Sequence, residues 1–454
     1  MADLKFFLSC FPMNLTIRTR AYYPLLLLII LAVSGCSSDD DDGGILDMTT
    51  RPNILLIIAD DLGVEACPGY DIGAVKPNMP NLQKLISNGL TFDNAWAFPV
   101  CSPTRSSILT GKYGFHTGVL NAEDASTISA SEKTLHTYID EKTGSAYVHS
   151  IIGKWHLSAQ EPNRPTQMGI GYYAGLLGGA VSDYDRWQLT ENGQTSMFNG
   201  YITTKLTDLA ISWIDDQSKP WFCWLAYNAP HTPFHLPPIE MHSQGNLPSD
   251  SASIAANPLP YFMAMTESID YEMGRLMNSL SSSELANTII IFIGDNGSHG
   301  QVLQAPYTAG QGKGSLYQGG IHVPLIVSGK GVTRKNQHES ALVGSTDLFS
   351  TIADLAGANS SSYESSRSFK KMLTTEGQLV RTINYSEVSG ANANKSGYAI
   401  RSTNYKLIVF DSGRREFYDL TKDPYEADNL LPTLTSEEQT ALDALEAEAA
   451  KIRK

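Results

Sequence analysis

Residues 100–114, VCSPTRSSILTGKYG, place one cysteine directly before a Ser-Pro pair and four positions ahead of an arginine. Ser102 is suited to cap a helix whose first position is Pro103, because proline's fixed φ and missing N–H fit the first turn. Cys101 would then stand just ahead of a helix N-terminus, with Arg105 in the first turn and Gly111 at the stop. The helix dipole and the guanidinium both make such a spot positive, which suits an anionic substrate or an oxyanion. The same field would lower a thiol pKa, so a thiolate nucleophile is one reading. Two other stretches end in acid. NILLIIADD, 53–61, closes on Asp60 and Asp61, and TIIIFIGDNG, 288–297, ends in Asp295 and Asn296. Side by side they would gather three carboxylates and an amide oxygen. Carboxylates that close repel one another unless a cation neutralises them, and hard oxygen ligands select Ca2+ or Mg2+ over zinc. Taken singly, the same acids read as caps for loops and for the helices that follow. The chain has no Cys-x-x-Cys or Cys/His zinc spacing. A thiolate beside a metal ion would oxidise in an oxidising compartment, so the thiolate and the cation sit badly together.

The elements that must position these residues read as α/β. Both acid-ended stretches are apolar without alternation, the pattern of strands buried on two faces of a parallel sheet. Ligands of open α/β sheets bind at the carboxyl ends of such strands. Residues 221–227 and 323–329 read as further strands, and 81–90 (closed by Gly89), 203–217, 267–280 and 345–357 as helices. The alternation predicts a mostly parallel central sheet with helices on both faces. YKLIVF, 405–410, followed by the turn DSGRR, agrees with a hairpin, and 435–454 reads as an amphipathic helix with a capping box from Thr435 and Glu438. The 454 residues suit one large α/β domain with a smaller attachment, or two or three domains, and no period of 20–50 residues repeats.

The N-terminus reads as an address. Arg18 and Arg20 precede the apolar run at 24–35, which is short for a membrane span and fits the core of a signal peptide. Its end, VSGC, resembles a bacterial lipoprotein signal, which implies a signal peptide over 1–35 and a lipid anchor to the membrane on Cys36. SSDDDDGG then makes 36–50 a solvated acidic tether. It looks like the surface-export tag of Bacteroidetes lipoproteins, or else it is a plain spacer. The expected location is the envelope of a Gram-negative cell, at the outer membrane surface or in the periplasm. The net charge of −14, without a basic stripe, argues against nucleic acid as a partner. Cys67, Cys101 and Cys223 remain after export, an odd number, so at least one is outside any internal disulfide.

CSPTRSSILTGK, 101–112, resembles the signature of the type I sulfatases of the alkaline-phosphatase-like superfamily, in which C-x-P-x-R marks the cysteine for conversion to Cα-formylglycine. The resemblance covers nearly all of 51–430. It implies that residue 101 is an aldehyde in hydrated form: one hydroxyl attacks sulfur, and collapse to the aldehyde expels sulfate. It implies a Ca2+ ion on Asp60, Asp61, Asp295 and Asn296, with the modified Cys101 also touching it. Arg105 would hold the hydrate. In GKWHL, 153–157, Lys154 would bind the hydrate and the sulfate, and His156 would accept the proton that drives collapse. His231 of APHTPFHLP and Lys313 of GQGKGSLYQGG would contact the sulfate, His231 also the leaving oxygen. Singly, each of these lysines and histidines reads as a surface charge or a structural ring; their shared order and spacing carry the resemblance. His235, His299 and His322 read as structural or substrate-contacting, and Lys112 as recognised by the formylglycine-generating enzyme. The family's usual acid and base in YEGG-I-R-VP are replaced by Gln318 and His322, which predicts a neutral hydrogen bond in place of an ion pair. The resemblance also implies a catalytic domain over 51–375 and a small antiparallel sheet with a helix over 376–454. The implied activity is hydrolysis of sulfate esters on sulfated carbohydrates, with specificity in the loops around 158–200 and 232–262. A phosphodiesterase or phosphonate monoester hydrolase on the same site, and a glycan-binding surface lipoprotein with a dead site, are the alternatives.

Overall fold

The computed structural model describes residues 51–123 and 126–454, so the expected signal peptide, tether and Cys36 lie outside the described residues. In chain order the strands of the main sheet are β1 (Asn53–Ala59), β2 (Gly89–Phe92), β3 (Val148–Gly153), β4 (Tyr172–Gly175), β5 (Arg186–Glu191), β6 (Gln194–Asn199), β7 (Trp221–Ala226), β8 (Thr288–Gly294), β9 (Leu325–Gly329) and β10 (Gln337–Glu339). They lie in the order β10-β2-β9-β8-β1-β7-β3-β4-β5-β6, a sheet of ten strands. The centre, β4-β3-β7-β1-β8, is parallel throughout. β9 runs antiparallel to β8 and β2, and β5 antiparallel to β4 and β6. The reversal at β9 follows from its connection. Parallel neighbours need a crossover that returns the chain to the starting edge; here the segment after β8 stays at the carboxyl end and re-enters from there.

β1 shows why the sheet is buried on both sides. Ile54, Leu56 and Ile58 face one core, and Leu55, Ile57 and Ala59 face the other. Its five Leu and Ile side chains are fully buried, each contributing roughly 1.5–3 kcal/mol relative to exposure. The helices of eight residues or more are α1 (Pro80–Ser87), α2 (Cys101–Thr110), α3 (Leu135–Thr143), α4 (Ile202–Asp215), α5 (Leu259–Ser279), α6 (Asp347–Leu355) and α7 (Ser436–Ile452). α2, α3 and α6 fill the first face, and α1, α4 and α5 the second. None is long and apolar enough to cross a membrane.

β11 (Asn384–Val388), β12 (Gly397–Arg401), β13 (Tyr405–Phe410) and β14 (Arg415–Asp419) form a separate antiparallel sheet. Leu442, Leu445 and Ala449 of α7 pack on it, and Thr435 and Glu438 make the expected capping box. Phe98 and Tyr113, which flank α2, belong to the same cluster, and Ser386 Oγ donates to Ala97 O at 2.9 Å. The small sheet therefore braces the segment that leads into Cys101.

Several boundaries differ from the expected ones. The helix expected to end at Gly89 stops at Ser87, and Gly89 opens β2, where a Cβ would lie 2.4 Å from Val327 O. α5 starts at Leu259, ahead of the expected 267, because Pro260 is tolerated in a first turn and the turns that follow are buried all round. Such a helix has no polar face to announce it. α2 begins at Cys101 with Val100 as its N-cap, and Ser102 Oγ donates to His156 O at 2.8 Å instead of capping. Gly111 ends it in the left-handed region as expected. Cys67, Cys101 and Cys223 are buried and free.

Candidate active site

β1 and β8 end together, with Ala59 opposite Gly294, so Asp60 and Asp61 leave the sheet beside Asp295 and Asn296. All four are fully buried. Asp61 adopts φ +70°, and its backbone N–H donates to Asp295 Oδ1 at 3.1 Å. Three cationic side chains converge on these acids. Lys154 Nζ donates to Asp60 Oδ2 at 2.5 Å, and Lys313 Nζ lies 2.7 Å from Asp61 Oδ1. Arg105 donates through Nε and Nη2 to Asp295 Oδ2 at 3.1 and 2.7 Å, and through Nη1 to Lys154 O at 2.9 Å. Burial pushes the Asp60 carboxyl well above the usual carboxylate range. Burial acts on Asp61 in the same direction, but Lys313, with His231 and Lys154, outweighs it and holds Asp61 below that range. Lys313 is held above its ordinary value: burial opposes this and Asp61 overrides it.

Two oxygens in this cluster have no hydrogen-bond partner: Asp60 Oδ1 and Asn296 Oδ1. The amide of Asn296 spends its nitrogen on Asp61 Oδ1 at 2.8 Å and on Gly297 O at 3.0 Å, which leaves the oxygen free. A buried oxygen without a donor costs about 1–3 kcal/mol, so two together call for a positive partner. Carboxylate oxygens of Asp60 and Asp295 and the Sγ of Cys101 lie within 4.8 Å of one another, as do ligand atoms of Asp60, Asp61 and His231. The donor set is mostly oxygen and fits a hard cation such as Ca2+.

Cys101 opens α2 and is 1% exposed, with its Sγ 3.2 Å from His156 Nδ1. That Sγ stands in for an oxygen that an oxidised residue 101 would carry on its Cβ. Lys154 and His156 follow β3, whose last residue, Gly153, has φ +110° and would place a Cβ 1.9 Å from Ala226 O. Only glycine lets β3 lie this close to β7 while turning Lys154 inward. His156 itself has φ +54°, and a Cβ on Gly179 would lie 2.2 Å from its Cε1. Burial first, then Lys154, Arg105 and Lys313, bring His156 down to about 3. His231 stands in the segment after β7, with Nε2 3.8 Å from Asp61 Oδ2 and Nδ1–H directed at Thr232 O at 2.7 Å. Burial, aided by Lys154 and Lys313 and opposed by Asp61, brings it down to about 4. Both rings are therefore neutral at pH 7.

All ten expected site residues, Asp60, Asp61, Cys101, Arg105, Lys154, His156, His231, Asp295, Asn296 and Lys313, come together here. The remaining candidates make other contacts. His235 rests on Tyr184 with ring centroids 4.1 Å apart and meets Tyr201 Oη at 3.1 Å. His299 meets the edge of Phe234, and Lys112 pairs with Glu132 at 2.8 Å. The expected side-chain bond between Gln318 and His322 does not form. Gln318 Oε1 accepts from Trp96 Nε1 at 2.9 Å, and His322 Nε2 lies 2.8 Å from Asp93 O. Only the backbones meet, His322 N–H donating to Gln318 O at 2.8 Å within one helical turn. Three residues have supporting roles that were not read from the sequence. Ser102 fixes the His156 carbonyl, Gly179 lies against the His156 ring, and Tyr184 Oη donates to His231 O at 2.5 Å and to Asn228 O at 3.0 Å. Of these, only the Gly178–Gly179 pair left a sequence signal, as a place where backbone approaches closely.

A family model described as Sulfatase matches residues 52–358, and one described as N-sulphoglucosamine sulphohydrolase, C-terminal, matches 311–454. "Uncharacterized sulfatase YdeN" of Escherichia coli K12 is 28% identical over 363 residues, 67% of this chain and 62% of that protein. N-acetylglucosamine-6-O-sulfatase of Bacteroides thetaiotaomicron is 26% identical over 488 residues, 84% of this chain and 83% of that protein. A solved structure of a protein in complex with its substrate D-glucosamine-2-N,6-O-disulfate superposes with a TM-score of 0.72 at 23% identity, covering 89% of this chain and 98% of that one. At that identity the likeness speaks to the fold. With the Sulfatase match running from the first residues of β1 to beyond the end of α6, the chain belongs to the sulfatase family and is a sulfuric ester hydrolase.

Proposed function

We propose that this chain hydrolyses sulfate esters of sulfated carbohydrates, with Cys101 oxidised to Cα-formylglycine and Ca2+ held by Asp60, Asp61, Asp295, Asn296 and the modified residue. The observation that carries the reading is the pair of oxygens without a hydrogen-bond donor, Asp60 Oδ1 (3.9 Å from Arg105 Nη2) and Asn296 Oδ1, buried among three carboxylates and within reach of residue 101. Once in place, the cation and the hydrated aldehyde supply charge neutralisation and a nucleophilic oxygen that a thiol lacks. The remaining work falls to the chain. Lys154 and Lys313 bring two ammonium groups to the sulfate oxygens, where charge must be balanced. Arg105, pinned by Asp295, holds the substituents of residue 101. His156, neutral and 3.2 Å from the Sγ position, accepts a proton from residue 101 at Nδ1. His231, neutral in the free site, takes up a proton at Nε2 when the anionic ester binds beside it and delivers that proton to the leaving alkoxide.

The carbohydrate assignment is supported by the names of the relative and of the superposed complex and by the lipoprotein-like N-terminus. Maturation by a formylglycine-generating enzyme and anchoring at the envelope through lipid on Cys36 belong to the same reading. The test is mass spectrometry of the peptide around residue 101 from the native host, together with a screen against sulfated mono- and disaccharides. A formylglycine mass and desulfation of a sugar are expected. Faster turnover of aryl phosphate or phosphonate esters would assign phosphoryl transfer instead. An unmodified thiol without turnover would leave a glycan-binding protein.

A further inference from the structure

Lys313 lies on the connection between β8 and β9, and that connection is gripped from two sides. On the catalytic side, Lys313 N–H donates to Ser298 O at 3.0 Å and Gly314 N–H to Pro99 O at 2.7 Å. On the other side the grip comes from the turn after β14. Gln311 Nε2 donates to Tyr425 O at 3.1 Å, and the backbone N–H of Gln318 donates to Glu426 Oε2 at 2.5 Å. These two contacts bracket Lys313. The second oxygen of Glu426 pairs with Lys406 of β13, and neither side chain has any exposure. Lys406 Nζ also lies 5.0 Å from the centroid of Trp96, whose Nε1 donates to Gln318 Oε1 at 2.9 Å.

Two features of this clamp are costly if folding is their only purpose. A buried ion pair is commonly no more stable than well-packed apolar residues in its place. Glu426 also holds φ +62°, a left-handed backbone that a non-glycine residue rarely adopts. What the pair does provide is a fixed carboxylate oxygen at one end of the Lys313 segment and a fixed carbonyl, from Tyr425, at the other.

We propose that Glu426, held by Lys406, is a positioning residue for Lys313, so that the small C-terminal sheet sets the placement of an active-site cation. This rests on the reading that Lys313 contacts the sulfate. The experiment measures kcat/KM for 4-nitrophenyl sulfate and the thermal midpoint of the mature, Ca2+-loaded enzyme as wild type, E426A, K313A and the double variant. The E426A change lowers kcat/KM by about tenfold or more in the wild type and by less than about threefold when Lys313 is already gone, because residues acting through one group are not additive. Its loss of thermal midpoint is the same in both backgrounds. An equal loss of kcat/KM in both backgrounds, or none in the wild type, assigns Glu426 to folding alone and overturns the proposal. If E426A does not fold, the apolar pair E426L/K406M, which removes both the charge and the acceptor for Gln318 N–H, replaces it and is read the same way. Full activity of K313A alone would sink the reading of Lys313 itself, an outcome visible before any change at 426.

Discussion

Tyr184 is 3% exposed, and its one hydroxyl joins two carbonyls, those of Asn228 and His231. Nothing in its packing requires that hydroxyl, so its role is to fix the His231 backbone and thereby the imidazole beside Asp61. If His231 protonates the leaving oxygen, Tyr184→Phe slows sugar sulfates by about tenfold, the worth of one hydrogen bond near 1.4 kcal/mol. It spares 4-nitrophenyl sulfate, whose leaving group needs no proton. The ratio of the two kcat values checks this, and an equal drop on both substrates would separate Tyr184 from proton delivery. The proposed metal ligands support a second expectation. Without a cation, Asp60, Asp61 and Asp295 face one another with only Arg105, Lys154 and Lys313 between them. Chelation with EDTA therefore abolishes activity and lowers the thermal midpoint. Ca2+ restores both more fully than Mg2+, because a site built from several fixed carboxylates tolerates the larger ion's irregular shell. A ligand at about one hundred times its dissociation constant adds roughly 2.7 kcal/mol, enough to resolve in a melting curve.

At the scale of elements, the site depends on how closely two strand ends and one loop approach. Gly179 lies against the His156 ring, where a Cβ would come within 2.2 Å of Cε1. Gly179→Ala must push the imidazole away from residue 101, while far-UV circular dichroism stays unchanged. The expected loss in kcat is on the order of a hundredfold, the lower range for removing a general base. Full activity in that variant would show that the loop yields more easily than the ring. Gly179 also marks the limit of what the chain disclosed before folding. The runs at 53–59 and 288–294 were legible because strands buried on both faces are apolar without alternation, and the acids behind them were legible because nothing else ends both runs. The direction of β9 was not, since it depends on where the chain re-enters the sheet. The start of α5 was hidden because a helix buried all round has no period to read. Ser102 was misjudged as a cap because the helix already begins at Cys101, and its hydroxyl serves a distant partner, donating to the carbonyl of His156. Gln318 and His322 failed to pair for the same reason, drawn off by Trp96 and by Asp93 O. Local chemistry announced which residues would react, and tertiary competition chose which neighbours would hold them.

On the scale of the whole molecule, the two hydrophobic faces of the sheet and the added C-terminal sheet make a fold that also buries histidines outside the proposed metal site. His136, fully buried, packs against Phe222 and His149, and its pKa is driven well below the ordinary value by burial first and by His149 next. His322 sits between the main sheet and the small one, brought down to about 4 by burial first and then by Arg401 and Lys406. Both folded values lie below the unfolded value near 6.5, so the unfolded chain binds protons that the folded chain refuses. Stability from these rings is complete above about pH 6.5 and is lost as pH falls toward 4, at up to ~1.4 kcal/mol per pH unit for each ring. Carboxylates titrate in the lower part of that window, so the informative comparison is between variants. His322→Gln keeps a donor for the carbonyl of Asp93 and cannot take up a proton. In urea titrations at pH 7, 6 and 5 with saturating Ca2+, the wild type loses stability more steeply than His322→Gln between pH 6 and 5, by about 1 kcal/mol, slightly less than one ring's full slope. Parallel curves for the two proteins would mean that position 322 is protonated in the folded state after all, and that the seam between the sheets accommodates a third positive charge beside Arg401 and Lys406.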